Sequence, residues 1–326
     1  MSSSSSTNIT LSTPSAAAHP EPGPDWKVAK QLWGIAWEMH WVGFGVLFSI
    51  LAVHSLIALA QVKQQQGFGR RPLVVAINSL LVILGAARAL FMFLDPYESG
   101  ENGFHCPHWL ATLLYGIAFP CLTSSFSLIH LAFLEVANVH IGPSKLQSVY
   151  FLGGVITLHF GIVIIAETTT ATNAKLTPLL IVCQSIFILW GLLLSVSFIY
   201  SGLKVILSSE KVQKQLEMIE TGAAQQTASE KRRKTKTIKV AKVTFATSIL
   251  GFACCGLQLY SLFGVYSLYT KAVDPSPWPW WVFQTCFRLV EFCMACTIAY
   301  SVMQRSKPAV TSKRHPRVTT QSSKET

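Results

Sequence analysis

The sequence predicts an all-α fold: a polytopic membrane protein built as a seven-transmembrane helix bundle. Three observations predict it. Only 13% of the 326 residues are charged and 51% are hydrophobic, whereas a soluble domain carries about 25% charged residues. Mean hydropathy is +0.42. Seven stretches are apolar over the roughly 20 residues needed to cross a hydrocarbon layer about 30 Å thick. Such a composition leaves too little polar surface to clothe a soluble enzyme. The formal charge of +11 falls in particular loops and not along one face, so it reads as membrane orientation and excludes nucleic acid as the partner.

The seven spans, in order, are Trp41–Val62, Pro72–Leu94, Trp109–Val136, Gln147–Ala166, Leu176–Leu203, Val243–Leu268 and Trp281–Met303. The fourth to sixth contain no Asp, Glu, Lys or Arg. An odd number of crossings puts the termini on opposite sides. Short basic loops stay in the cytoplasm, and 20 of the 26 Lys and Arg lie on one side, in 63–71, at Lys145, in 204–242 and after Met303. The N-terminus is therefore expected outside and the C-terminus in the cytoplasm, with the plasma membrane favoured over internal membranes. Tryptophans at 26, 33, 37, 41, 109, 278, 280 and 281 read as an aromatic belt at the outer interface.

Residues 1–25 read as a disordered outer tail, without a compact apolar core for a signal peptide. The tail carries a glycosylation acceptor at Asn8, in Asn8-Ile9-Thr10. Asp25 can cap a helix that starts near Trp26, and Trp33, Trp37 and Trp41 recur every four residues, so the first helix is expected to begin well before the bilayer. The linker 204–242 begins as a helical continuation of span five. Lys231–Lys242 then concentrates basic residues beside the membrane, an expected contact for anionic inner-leaflet lipid or a cytoplasmic protein. Arg232-Arg233-Lys234-Thr235 makes Thr235 a candidate phosphorylation site. The basic tail 304–326 reads as disordered.

Ionisable side chains inside spans are costly and so are functional candidates by default. Three stand out. Arg88 lies roughly 9 Å below the outer end of span two, and Arg288 and Glu291 lie roughly 10 to 15 Å below the start of span seven. Gln284, Arg288 and Glu291 follow a four-then-three spacing that places them on one helical stripe. Two readings stay open: a buried bridge that locks helices two and seven, and an outward pocket that offers a guanidinium to an anionic ligand. His54, His130 and His159 raise haem as a remote alternative, but no pair recurs at one depth. Seven of the eight cysteines lie in spans as small apolar residues, and no metal quartet with ligand spacing occurs, so neither metal nor cofactor is expected. Pro120, followed by Thr123, Ser124, Ser125 and Ser127, predicts a kink in span three with hydroxyls serving the opened backbone.

No phosphate loop, nucleophile elbow or zinc-protease motif is present, so the chain is not expected to be an enzyme. The topology has the outline of a G-protein-coupled receptor, but Glu135-Val136-Ala137 and Cys296-Thr297-Ile298-Ala299-Tyr300 stand where that class has its signature triplet and Asn-Pro-x-x-Tyr. Other residues carry a closer resemblance. They are Ala87-Arg88-Ala89-Leu90-Phe91-Met92-Phe93-Leu94-Asp95-Pro96-Tyr97, the Trp33 to Trp37 approach to span one, Leu257-Gln258-Leu259-Tyr260, and Trp280-Trp281 with Arg288 and Glu291. Over about residues 25 to 303 the chain resembles the proline-rich transmembrane protein 3/4 family. The resemblance implies a multi-pass membrane protein and supplies no chemistry. Family members have a long proline-rich outer region, so functions housed there do not carry over to residues 1–25. The expected role is a receptor-like or interaction and scaffold protein with an anion-accepting pocket among Arg88, Gln284, Arg288 and Glu291. A transporter or channel is the alternative.

Overall fold

The computed structural model describes residues 23–64, 71–101, 103, 105–137, 148–173, 176, 178–219, 228–265 and 275–306. Asn8 and most of both tails lie outside the described residues. Among those described there is no strand, and seven helices are long and apolar enough to cross a membrane. In chain order the helical elements of the described residues are α1 (Trp26–Trp33), α2 (Ile35–Gln64), α3 (Arg71–Leu94), a 3₁₀ turn at Pro96–Glu98, α4 (His108–Gly116), α5 (Ala118–Ala137), α6 (Val149–Thr172), α7 (Pro178–Ile219), α8 (Ala228–Tyr260) ending in a π turn at Ser261–Val265, and α9 (Pro277–Ser306), with α4 and α5 forming one span. The bundle end that carries Trp26, Asp95 and Trp280 is called the tryptophan end below.

Burial follows membrane logic. Ile50, Val53 and Leu56 on α2 and Leu189, Leu193 and Val196 on α7 are exposed, because hydrocarbon accepts apolar side chains and gains nothing from their removal. The third span, α4 with α5, is 83% buried over its most apolar stretch and forms the centre of the bundle. Its Phe126 stacks on Phe198 of α7 at 4.8 Å between centroids. Small residues bring backbones close where lipid gives no hydrophobic drive. A Cβ on Gly85 of α3 would meet the Phe48 carbonyl of α2 at 2.7 Å, and one on Gly251 of α8 would meet Ser195 Oγ of α7 at 2.5 Å.

The structure keeps the Asp25 cap, a break in span three and the helical continuation of span five, and alters the details of the helices around them. Asp25 does cap α1, accepting from the Lys27 and Val28 amides at 3.0 and 3.4 Å, yet the first helix is not continuous: Gly34, at φ +49°, separates α1 from α2. Only glycine adopts that backbone without strain. Span three breaks at Ile117, between α4 and α5, one turn before Pro120, whose ring excludes the carbonyl of Gly116. The nearby hydroxyls bond other carbonyls: Thr123 that of Phe119, Ser125 that of Cys121, Ser127 that of Thr123. Span four extends beyond Ala166 to Thr172 and so includes Glu167. Most of the linker 204–242 is helix, α7 running 42 residues to Ile219 and α8 beginning at Ala228; Thr235 lies in that helical backbone, with its side chain outside the described residues.

Candidate functional site

Helices α3 and α9 pack together, and both pack on the third span, which brings Arg88 and the α9 stripe to one level. Arg88, Arg288, Glu291 and Gln284 are all fully buried. The Arg88 guanidinium straddles the Glu291 carboxylate, with Nε donating to Oε1 and Oε2 at 3.0 and 3.1 Å and Nη2 donating to Oε1 at 2.9 Å. Its Nη1 donates to the Tyr115 carbonyl at 2.8 Å, at the frayed end of α4. From one turn along α9, Arg288 Nη1 donates to Glu291 Oε2. Glu291 therefore bridges both cations. Aromatic faces absorb the residual positive charge: Arg88 lies 4.9 Å over Tyr115 and 5.2 Å over Phe119, and Arg288 lies 5.2 Å over Tyr115 and 5.1 Å over Phe287.

The tryptophan end closes above this cluster. Pro96 starts a turn whose Tyr97 and Glu98 both sit in the left-handed region, at φ 55° and 56°, a backbone uncommon for residues other than glycine. The turn sends Tyr97 down into the bundle. Its hydroxyl accepts from Arg288 Nε at 3.3 Å and bonds His40 Nε2 at 3.1 Å, while His40 Nδ1 bonds Thr285 Oγ1 at 2.9 Å. Asp95 holds the turn by accepting from the Gly100 amide at 2.8 Å. Trp33, Trp37 and Trp280 are buried against one another with Trp26, whereas Trp109 and Trp278 remain exposed. The expected belt is thus half belt and half plug. Lys30 pairs with Glu101 at 2.6 Å, and Trp37 Nε1 donates to the same carboxylate at 3.0 Å. Burial alone pushes the Glu101 carboxyl up, but those hydrogen bonds and the Lys30 charge outweigh it and hold Glu101 below the ordinary carboxylate range. Burial, then Asp95 and Glu98, pushes the Cys106 thiol up, so it is protonated at neutral pH. All eight cysteines are free.

Beside the charge cluster, between the third span and α6, α7 and α8, lies a cavity of about 40 Å³. Tyr115 and Phe119, which touch the arginines, form one wall. Phe187, His159, Glu167 and Gln258 line the rest. Gln184 Nε2 donates to Gln258 Oε1 and to Ser261 Oγ, the latter at 3.0 Å. Glu167 fits because its neighbour has no side chain: a Cβ on Gly116 would meet Glu167 Oε1 at 2.3 Å. The histidines weighed for haem are dispersed. His54 is exposed on α2, His130 bonds Ser197, and His159 bonds Thr123. Among the described residues no group of three or more His, Cys, Asp or Glu could hold a metal ion.

Seven apolar spans around a buried arginine–glutamate–arginine cluster define a multi-pass membrane protein. The chain belongs to the proline-rich transmembrane protein family: the family described as Proline-rich transmembrane protein 3 domain matches residues 11–320. It is 27% identical to Proline-rich transmembrane protein 4 of Mus musculus over 301 residues, 90% of this chain and 31% of that protein. The Homo sapiens protein of the same name is 27% identical over 300 residues, with the same shares. Proline-rich transmembrane protein 3 of Homo sapiens is 29% identical over 171 residues, 51% of this chain and 15% of that protein. The chain therefore spans about a third of the length of the first two relatives. No solved structure matches.

Proposed function

We propose that this chain is a receptor-like membrane protein, not an enzyme, whose ligand site is the cavity beside a closed Arg88–Glu291–Arg288 clasp. One observation carries the reading: a cavity at the tryptophan end, lined by polar and aromatic side chains, next to the Arg88–Glu291–Arg288 charges that pair with one another. Small-molecule sites have this composition, a mostly apolar wall with a few placed polar groups. In this reading the tryptophan end faces outside the cell, as the distribution of Lys and Arg supports. The opposite end presents Lys231–Lys242 to anionic lipid or a cytoplasmic partner. Arg288 and Arg88 then act on a ligand through the shared wall of Tyr115 and Phe119.

Thermal unfolding of the detergent-purified chain tests this, with sodium sulfate, sodium propionate, glycine, 1-propanol and propylammonium chloride as solutes. Binding to N alone raises Tm. The expected result is a solute that stabilises wild type and Arg288→Gln but not Val163→Phe, which fills the cavity. Stabilisation by sulfate that is lost in Arg288→Gln and kept in Val163→Phe would move the site to the arginines, as an anion pocket. No shift with any solute would leave a scaffold. Passage of a labelled solute through reconstituted liposomes would make the protein a transporter or channel.

A further inference from the structure

We propose that the cavity takes a small neutral alcohol, whose hydroxyl donates to His159 Nε2 and accepts from Gln258 Nε2 while its carbon chain lies against Tyr115, Phe119 and Phe187. This rests on the reading of the cavity as a ligand site and adds the chemistry of the ligand. Both nitrogens are buried without a hydrogen-bond partner among the described residues. Their side chains line the cavity, with Gln258 fully buried and His159 5% exposed. Buried polar groups are ordinarily satisfied, so a ligand that meets both nitrogens is favoured there. Glu167 also lines the cavity and has an interaction of its own, which leaves the two nitrogens to select the ligand.

The surrounding network fixes what each nitrogen offers. Ser261 Oγ gives its one proton to the Gln258 backbone carbonyl at 2.8 Å and therefore accepts from Gln184 Nε2 at 3.0 Å. The same Gln184 nitrogen donates to Gln258 Oε1. The Gln258 side-chain oxygen thus faces Gln184, and the other amide atom, Nε2, is a donor. On α5, Thr123 Oγ1 gives its one proton to the Phe119 carbonyl at 3.1 Å or the Pro120 carbonyl at 3.3 Å. The 3.2 Å contact of Thr123 Oγ1 with His159 Nδ1 is then donated by the imidazole, which leaves a lone pair on Nε2. The cavity presents one acceptor and one donor. An ammonium ion donates but does not accept, and a carboxylate accepts but does not donate, so each leaves one nitrogen unmet. A hydroxyl does both with one oxygen.

Size and surroundings suit a short carbon chain. Phe119 packs edge-on to Tyr115 at 5.4 Å and to Phe187 at 5.1 Å between centroids, so the wall is a continuous aromatic surface. Val163 and Leu180 add aliphatic lining. A volume of about 40 Å³ corresponds to about three waters, or to a ligand of three or four non-hydrogen atoms.

The test compares 1-propanol with propionitrile, propylammonium chloride and sodium propionate by thermal shift of the detergent-purified chain. All four have three carbons, and the alcohol alone both donates and accepts. Propanol is expected to raise Tm at concentrations at least tenfold below those at which the other three act. His159→Leu should remove its advantage over propionitrile, Gln258→Leu should weaken both, and Val163→Phe should abolish all binding. If another of the four matches propanol in wild type, or if His159→Leu or Gln258→Leu binds propanol as wild type does, the alcohol assignment is overturned, while a Val163→Phe-sensitive shift keeps the cavity as a ligand site. If none of the four shifts wild type while another solute does so in a Val163→Phe-sensitive way, the alcohol assignment again fails alone. If no solute shifts wild type, both readings fail and water serves the two nitrogens. The wild-type comparison decides the matter even if a variant does not fold.

Discussion

Two buried polar clusters share the Tyr115 and Phe119 rings and differ in how far they are completed. In the clasp between α3 and α9, one carboxylate takes both guanidiniums, and a carbonyl and four ring contacts take most of the remainder. In the cavity between the third span, α6, α7 and α8, a carboxylate stands beside an imidazole and an amide that each keep an unused nitrogen. Buried polar groups are ordinarily satisfied, since leaving one unpaired costs about 1–3 kcal/mol. The contrast shows how to separate architecture from recognition inside one bundle. A closed network holds helices together, and an incomplete one is suited to holding something else.

Breaking the clasp should have the largest effect. Glu291→Gln leaves two guanidiniums facing one another in the bilayer and is expected to cost about 3–5 kcal/mol, read as loss of monodisperse protein in size-exclusion chromatography. Arg88→Glu combined with Glu291→Arg should recover part of what each single reversal loses. Gly116→Ala is next. It drives a methyl into Glu167 and is expected to lower stability by about 1–3 kcal/mol, read in a thermal melt of the purified protein. Tyr97→Phe removes the hydroxyl between His40 and Arg288 and should cost about 1–2 kcal/mol in a thermal melt. The smallest effect is at the rim. Because Glu101 is held low, its contribution is present at neutral pH and lost as pH falls below the ordinary carboxylate value of 4.5. The pair is partly exposed, so Glu101→Gln should flatten that acid limb by only about 0.5 kcal/mol.

The clasp was legible in the sequence because charge in an apolar span is conspicuous and because Arg288 and Glu291 share a helical face. Contact between α9 and α3 completes it, and the bridging role of Glu291 follows. The cavity was much harder to see. Glu167 lies one residue past the point where hydropathy ends span four, in a Thr-rich stretch that reads as a loop. Thr168, Thr169 and Thr170 instead donate to the carbonyls one turn back and carry the helix on. The spacing of His159, Val163 and Glu167, four residues each, was the available signal for one helical face. Tyr97 and His40 were out of reach for a different reason. Tyr97 enters by a left-handed turn, which has no periodicity, and His40 is polar only toward partners that the turn delivers. The tryptophan spacing was visible, but whether such residues meet lipid or one another depends on Trp280, more than 240 positions away.

Tyr97 has one further consequence. Its ring packs edge-on against Trp280 at 5.0 Å, while its hydroxyl touches Arg288. Trp280 in turn stacks on Trp33 at 5.6 Å. The buried cation and the indoles are therefore joined through a single phenol, and the molecule contains its own optical gauge. Indole emission shifts with nearby charge and polarity, so any displacement of Arg288 should register in the intrinsic fluorescence of the tryptophan plug, with no label attached.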